Sequence, residues 1–365
     1  MSIRQVISSA LTSAGFVKNR TLTLEGTINA ASQNSEPGLN SFEKGSCLRV
    51  GVLTNPRSGG NKQGLSEIRS LLAKHPDVLH REEFTPESIS DALSGFCKDG
   101  VEMVVINGGD GTVHAALTTI GRGDAFSKPP LFALLCAGTT SMLPRDVGIK
   151  GPSVEALSQV LQWARSTDDK LGLLPRHVLE VKRGAGQPPL FGMFFGAGAI
   201  TQGIKLFHRG VNPMGWRGEI MPGITLLRML VAILRKDHSK VPPLLVRARL
   251  DKQPSQESET LLVLISTLER LFLGMRPYWG EEGGHMHYTA ISSYSKKLFR
   301  VLPSLFSRQK NRYATPENGY ISHNLNEVEL EMDRDFTLDG ELYESGQEPV
   351  VIRPAGPFTF LSSNS

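Results

Sequence analysis

From Cys47 to about Arg176 the hydrophobic positions alternate between two periods. The runs “CLRVGVLTN” (47–55), “VLHREEF” (78–84), “VEMVVIN” (101–107) and “LFALLCAG” (131–138) are short and rich in apolar residues, which predicts strands. Between them, “KQGLSEIRSLLAKH” (62–75) sets Leu65, Ile68, Leu71 and Leu72 on one helical face. “PESISDALSGFCKDG” (86–100) opens on a proline suited to a first helical turn and closes on Gly100. “VHAALTTIG” (113–121) and “SVEALSQVLQWA” (153–164) continue the alternation as helices. Strand and helix in turn, with short loops, imply a doubly wound parallel sheet with right-handed crossovers. Such a sheet binds ligands at the carboxyl ends of its strands.

After Arg176 the pattern changes. “HVLEVKRG”, “LFGMFFGAGA”, “LLVRARLD”, “ETLLVLIST”, “HMHYTAIS”, “NEVELEMD”, “FTLDGELYE” and “EPVVIRPAG” are short strand candidates separated by Gly, Pro and Asp turns. One long helical stretch, “GITLLRMLVAILRKD” (223–237), interrupts them. The expected organisation is a polar tail over 1–46, an α/β nucleotide-binding domain over 47–176, and a β-rich, sandwich-like domain over 177–365 whose last segment can return to the first domain. Within the tail, Val6, Leu11 and Phe16 have the spacing of a short amphipathic helix.

Composition narrows the class. A chain of 365 residues, 39% hydrophobic, can bury two cores. Its 40 basic and 36 acidic residues leave a net charge of +4, too small and too dispersed across the sequence to argue for nucleic acid but permissive for an anionic membrane surface. Cys47, Cys97 and Cys136 form no CxxC and no even framework, as expected of free thiols in a reducing compartment. No run of 18 uncharged apolar residues exists to span a bilayer.

Candidate chemistry lies in the loops that end the first-domain strands. “NPRSGG” follows the first strand with Asn55, Ser58, Gly59 and Gly60; “GGDGT” follows the third with Gly108, Gly109, Asp110, Gly111 and Thr112; “AGTTS” follows the fourth with Gly138, Thr139 and Thr140. Glycines ahead of a helix N-terminus let phosphate oxygens approach backbone N–H groups. A carboxylate there has a purpose if Mg²⁺ accompanies the phosphate or if a substrate hydroxyl loses a proton nearby, and Asp110 fits either role. Three glycine-and-hydroxyl loops on one sheet edge read as a nucleotide site.

These motifs, “NPRSGG”, “GGDGT”, “AGTTSMLPRDVGI” (137–149) and “LDGE” (338–341), resemble in order and separation those of the diacylglycerol kinase catalytic domain family, which includes bacterial lipid kinases and the sphingosine and ceramide kinases. The resemblance implies an enzyme of two domains that moves the γ-phosphoryl of ATP to a lipid hydroxyl with Mg²⁺ in the cleft. It assigns nucleotide contacts to Asn55, Ser58, Gly59, Gly108, Gly109, Gly111, Thr112, Gly138 and Thr139, metal contacts to Asp110 and Asp339, and the catalytic roles to Asp110 and Glu341. Which of those two is the base stays open. The implied partner is a lipid, diacylglycerol-like, at a membrane surface, approached peripherally from the cytoplasm at the inner face; a homodimer is compatible. An NAD kinase shares “GGDGT” but not “NPRSGG” with “LDGE”.

Three departures from the family pattern bear on this. Ser141 and Met142 stand where the family usually has Asn-Asp, Gly198, Ala199 and Ile200 stand where it often has Gly-Phe-Asp-Ala, and Glu281 and Glu282 replace Asp-Asp. They motivate the alternative of a nucleotide- or lipid-binding protein that has lost catalysis. His285 and His287 share a strand face without a third ligand at suitable spacing, and “LLRMLVAILRKDHSK” combines an apolar face with Arg228, Arg235 and Lys236.

Overall fold

The computed structural model describes residues 47–138, 141–166, 171–209, 242–306 and 311–363. The expected helices in the tail and over 223–237, and Thr139 and Thr140, lie outside the described residues.

The first half runs β1 (Val50–Thr54), α1 (Asn61–Leu72), β2 (Leu79–Glu82), α2 (Pro86–Lys98), β3 (Met103–Gly108), α3 (Asp110–Gly121), β4 (Leu131–Cys136), α4 (Met142–Val147) and α5 (Ser153–Arg165). Strands pair in parallel in the order β2-β1-β3-β4. The strands β1, β3 and β4 are buried on both faces, and their alternating side chains feed two cores. Val104 and Ile106 of β3 pack with Leu93 and Phe96 of α2 and Val113 and Leu117 of α3. Met103 and Val105 face Ile68 of α1 and Leu157 and Leu161 of α5 on the other side. Each such side chain, taken fully out of water, stabilises the fold by about 1.5–3 kcal/mol. The helix α2 starts where Thr85 caps it: its Oγ1 accepts from Ser88 N at 3.2 Å, and Pro86 follows in the first turn.

The second half is β-rich, as its sequence predicts. It comprises β5 (Gly172–Arg183), β6 (Leu190–Gly192), β7 (Phe194–Gly198), α6 (Ala199–Arg209), β8 (Leu244–Leu250), β9 (Gln256–Ser266), β10 (Met286–Ser292), α7 (Leu298–Val301), β11 (Tyr320–Leu325), β12 (Val328–Met332), β13 (Phe336–Leu338), β14 (Glu341–Tyr343) and β15 (Val350–Ser362). Inward side chains at alternate positions, among them Val181, Val246, Ile265, Tyr288, Leu330, Phe336 and Ile352, make its own core. The strand β15 joins the two halves. Its early residues pair with β12, its later ones run parallel to β4 with Phe360 opposite Phe132, and β5 follows it antiparallel along nearly its whole length. Among the described residues no helix is long and apolar enough to cross a membrane.

Candidate functional site

Because β2 lies on one side of β1 and β3 on the other, the chain reverses direction between β1 and β3. Loops diverge at such a point and leave a crevice at the carboxyl ends of the strands. The loops after β1, β3 and β4 meet here through hydrogen bonds that the sequence does not reveal. Asn55 Nδ2 donates to Thr112 Oγ1 at 2.8 Å, while Asn55 Oδ1 accepts from Arg57 N at 2.9 Å. Gly109 N donates to Ser58 Oγ at 3.1 Å, and Gly60 N to Ala137 O at 2.8 Å. Asn61 Nδ2 bridges Asn55 O and Asn107 O at 2.8 and 3.0 Å.

The glycines of “GGDGT” serve close approach. A Cβ on Gly108 would lie 2.6 Å from Thr112 Cβ, and one on Gly138 would lie 2.7 Å from the Cα of Gly109. A Cβ on Gly111 would lie 2.6 Å from Glu341 Oε1, which arrives from the other half of the chain. None of Gly108, Gly109, Gly111 and Gly138 has a positive φ, so turn geometry alone does not require them. Gly59 is exposed in the turn before α1.

Asp110 begins α3, and its two carboxylate oxygens accept from the amides of Met142 and Leu143, each at 3.0 Å. A carboxylate on two N–H groups at a helix start is a charge-assisted cap, and here it ties the second loop to the third. Asp110 is not among the residues lining the cleft described below. Ser141 completes the third loop, accepting from Gly138 N at 3.0 Å and donating to Gly138 O at 2.9 Å.

The “LDGE” segment is the two-residue turn of the β13–β14 hairpin, with Leu338 opposite Glu341. Asp339 and Gly340 both adopt positive φ, 51° and 97°, as a type I′ turn demands. Asp339 is buried. Its Oδ1 accepts from Met193 N and Phe194 N at 3.0 and 2.9 Å, and its Oδ2 lies 3.4 Å from His114 Nδ1. His114 Nε2 is 2.6 Å from the hydroxyl of Tyr343. Burial, helped by the neighbouring Glu341 carboxylate, pushes that phenol up to about 12 against the pull of Arg183, so it stays protonated at neutral pH.

A cleft of about 750 Å³ gathers these elements, with Asn55, Ser58, Gly109, Gly111, Thr112 and Glu341 on its wall. Of the expected site residues, those six share this wall; Gly108 and Gly138 lie just behind it in backbone contact with it, and Thr139 is outside the described residues. Asp110 and Asp339 bond backbone at its margins. Further residues of the wall escaped sequence reasoning, among them His114, Tyr343, Arg122 and Arg57, whose guanidinium lies 3.4 Å over the ring centre of Phe84. His114 falls one helical turn after Asp110, and Tyr343 two strand positions after Glu341, so the two periods already aligned them with known candidates.

Of the three departures, Ser141 and Met142 belong to the third loop of the site, and the other two lie elsewhere. Ile200 packs on Gly196, and Thr201 donates to Gly198 O at 2.7 Å, closing the start of α6. Glu282 binds His323 Nδ1 at 2.6 Å and Asn324 N at 3.0 Å; those bonds overcome its partial burial and hold its carboxyl at about 2. His285 lies against His177 with ring centres 4.3 Å apart and planes tilted by 35°, and His287 Nδ1 meets Asn324 Oδ1 at 2.7 Å. Among the described residues no group of three or more His, Cys, Asp or Glu side chains could hold a metal ion.

Comparison with known proteins agrees with this layout. A solved candidate diacylglycerol kinase from Bacillus anthracis str. Sterne superposes with a TM-score of 0.60 at 20% identity, covering 86% of this chain and 96% of its own. A diacylglycerol kinase structure from the same organism gives 0.57 at 17% identity over 86% and 96%. These likenesses establish a shared fold. No curated protein matches the sequence. Residues 49–171, the stretch that carries all three glycine-bearing loops, match the diacylglycerol kinase catalytic domain, the family that the motifs of this chain resemble.

Proposed function

We propose that this protein is a lipid kinase that transfers the γ-phosphoryl of ATP to the hydroxyl of a diacylglycerol-like lipid. One observation carries the reading: the loops after β1, β3 and β4 are bonded into one cleft edge, and the only segment of the β-rich half that crosses to Gly111 delivers a carboxylate, Glu341, among the described residues. A kinase needs little covalent chemistry of its own, so positioning and charge neutralisation dominate.

The residues fit a nucleotide. Backbone at Gly109 and Gly111, with the side chains of Asn55, Ser58 and Thr112, lines the cleft at the N-terminus of α3, where partial positive charge favours phosphate. Mg²⁺ bound with the nucleotide would neutralise phosphate charge; one or two protein carboxylates suffice beside phosphate oxygens, and Glu341 on the cleft wall is suited to that set. Glu341 is also the carboxylate best sited to take a proton from the attacking hydroxyl. Asp110 and Asp339 act at one remove: the first holds the third loop through Met142 and Leu143, the second holds the turn that presents Glu341.

The decisive experiment incubates purified protein with labelled ATP, Mg²⁺ and a lipid extract, with NAD as a parallel acceptor. Label in the organic phase supports the reading, and identifying the labelled lipid names the substrate. Label on NAD overturns it in favour of an NAD kinase. Nucleotide binding without transfer to either overturns it in favour of a binding protein.

A further inference from the structure

We propose that residues 294–306 and 311–313 form the surface by which this protein docks on an anionic lipid bilayer. The stretch from Tyr294 to Tyr313 holds Lys296, Lys297, Arg300, Arg308, Lys310 and Arg312 and no acidic residue. In sequence those six charges exceed the net charge of +4 of the whole chain, and four of them, Lys296, Lys297, Arg300 and Arg312, are among the described residues. Counted over the full sequence the charge looks dispersed; counted by segment it is not.

The same segment turns aromatic side chains outward. Tyr294, Phe299 and Phe306 are 62%, 69% and 54% exposed, whereas Val301, between the last two, is 1% exposed and packs with Ala314 and Tyr320. The helix α7 therefore keeps a small apolar residue inside and leaves its large one in solvent, the reverse of what core packing favours. An adjoining turn adds Leu273, 43% exposed, and is joined to the segment where Arg276 N donates to Leu305 O at 2.5 Å.

The cations gather on a tyrosine ring. Lys297, Arg300 and Arg312 lie 4.8, 5.1 and 4.8 Å from the ring centre of Tyr313, and both guanidinium groups donate to its hydroxyl, at 3.2 and 2.7 Å. Asn311 fastens the arrangement by donating to Arg300 O at 2.6 Å. Like charges held side by side, with no acid between Tyr294 and Tyr313, favour a negatively charged partner.

A bilayer satisfies both features together. Anionic head groups take the Lys and Arg ends, and the aromatic rings enter the boundary between head groups and acyl chains. A nucleic acid would answer the charge but leave Phe306 and Leu273 in water. The proposal rests on the lipid-kinase reading for its purpose, but its test needs neither ATP nor turnover.

Full-length protein is sedimented with vesicles of phosphatidylcholine alone or of phosphatidylcholine mixed equally with phosphatidylglycerol. Partition onto the mixed vesicles should be at least about tenfold stronger and should fall as salt is raised. Phe299→Ser with Phe306→Ser, and separately Lys297→Gln with Arg312→Gln, should each cut that partition about tenfold while leaving the thermal midpoint near that of the parent. If either pair unfolds, Tyr294→Ser alone, in an exposed turn, should still weaken binding measurably. Equal binding to both vesicles, no binding to either, or variants that bind like the parent would overturn the proposal. So would retention on nucleic acid without vesicle binding, or variants that lose only self-association, which would assign the surface to a second copy. A kinase assay that fails leaves this partition standing, and the converse holds.

Discussion

The Nε2 atom of His114 lies 2.6 Å from the hydroxyl of Tyr343, so the helix that begins at “GGDGT” is bonded directly to the strand that follows “LDGE”. The two residues are 229 positions apart in the chain. Through this contact and the approach of Glu341 to Gly111, the β-rich half supplies one wall of a cleft whose other wall is built from loops.

Glu341→Gln tests the carboxylate. The side chain is exposed on a short hairpin, so its neutralisation should change stability by less than about 0.5 kcal/mol. Turnover should fall by about 10² or more at nearly unchanged ATP affinity, the scale expected for loss of an acid–base or metal-organising group. Calorimetric ATP binding with a steady-state transfer assay separates the two effects; normal turnover would return Glu341 to the surface.

Gly111→Ala reaches the same group from the other side. The new methyl would meet Glu341 Oε1, the far end of a flexible side chain, so the carboxylate swings away and the fold survives. Activity should drop as in Glu341→Gln, and the double variant should be no worse than either single one, because both remove one interaction. Additive losses would show that Gly111 and Glu341 act independently.

Asp110→Asn exchanges an acceptor of two amide hydrogens for one that brings its own N–H₂ against them. Unfolding in urea should show a loss of about 1–3 kcal/mol, the cost of an unsatisfied buried donor, together with weaker nucleotide binding as the third loop loosens. A variant as stable as the parent that loses turnover alone would instead put Asp110 in the chemistry.

Tyr343→Phe has a signature in alkaline solution. The folded phenol is raised from about 10 to about 12, so between those values the folded state keeps a proton that the unfolded state has lost. Its contribution is whole below the unfolded value and is lost as pH rises through the folded one. Stability should therefore fall with pH from about 10 upwards, and less steeply in Tyr343→Phe. A remaining slope is expected from Tyr278 and Tyr288, whose phenols burial also raises. An unchanged slope would show that Tyr343 does not titrate with folding.

Local periodicity was enough for much of the architecture. The switch from period 3.6 to period 2 is written residue by residue, and β1 to β4 with the helices α1, α2, α3 and α5 each overlap an expected segment, although α3 begins at Asp110, ahead of the expected start at Val113. The positions of the glycine loops at strand ends were equally legible, since each loop borders its own strand. What the one-dimensional pattern did not contain was which atoms those loops would meet. Asp110 reads as a free acid beside phosphate until the fold brings the amides of Met142 and Leu143 onto both its oxygens. His114 reads as an ordinary helical residue until Asp339 and Tyr343 arrive on either side of it. The last strand reads as a short run ending at Gly356, and only pairing with β4 and β5 carries it on to Ser362. Hydrophobic alternation determines which face of an element is buried, because that depends on neighbours three or four positions away at most. The partners of these polar groups come from chain segments 32 to 229 positions off, and closing those distances is the work of tertiary packing alone.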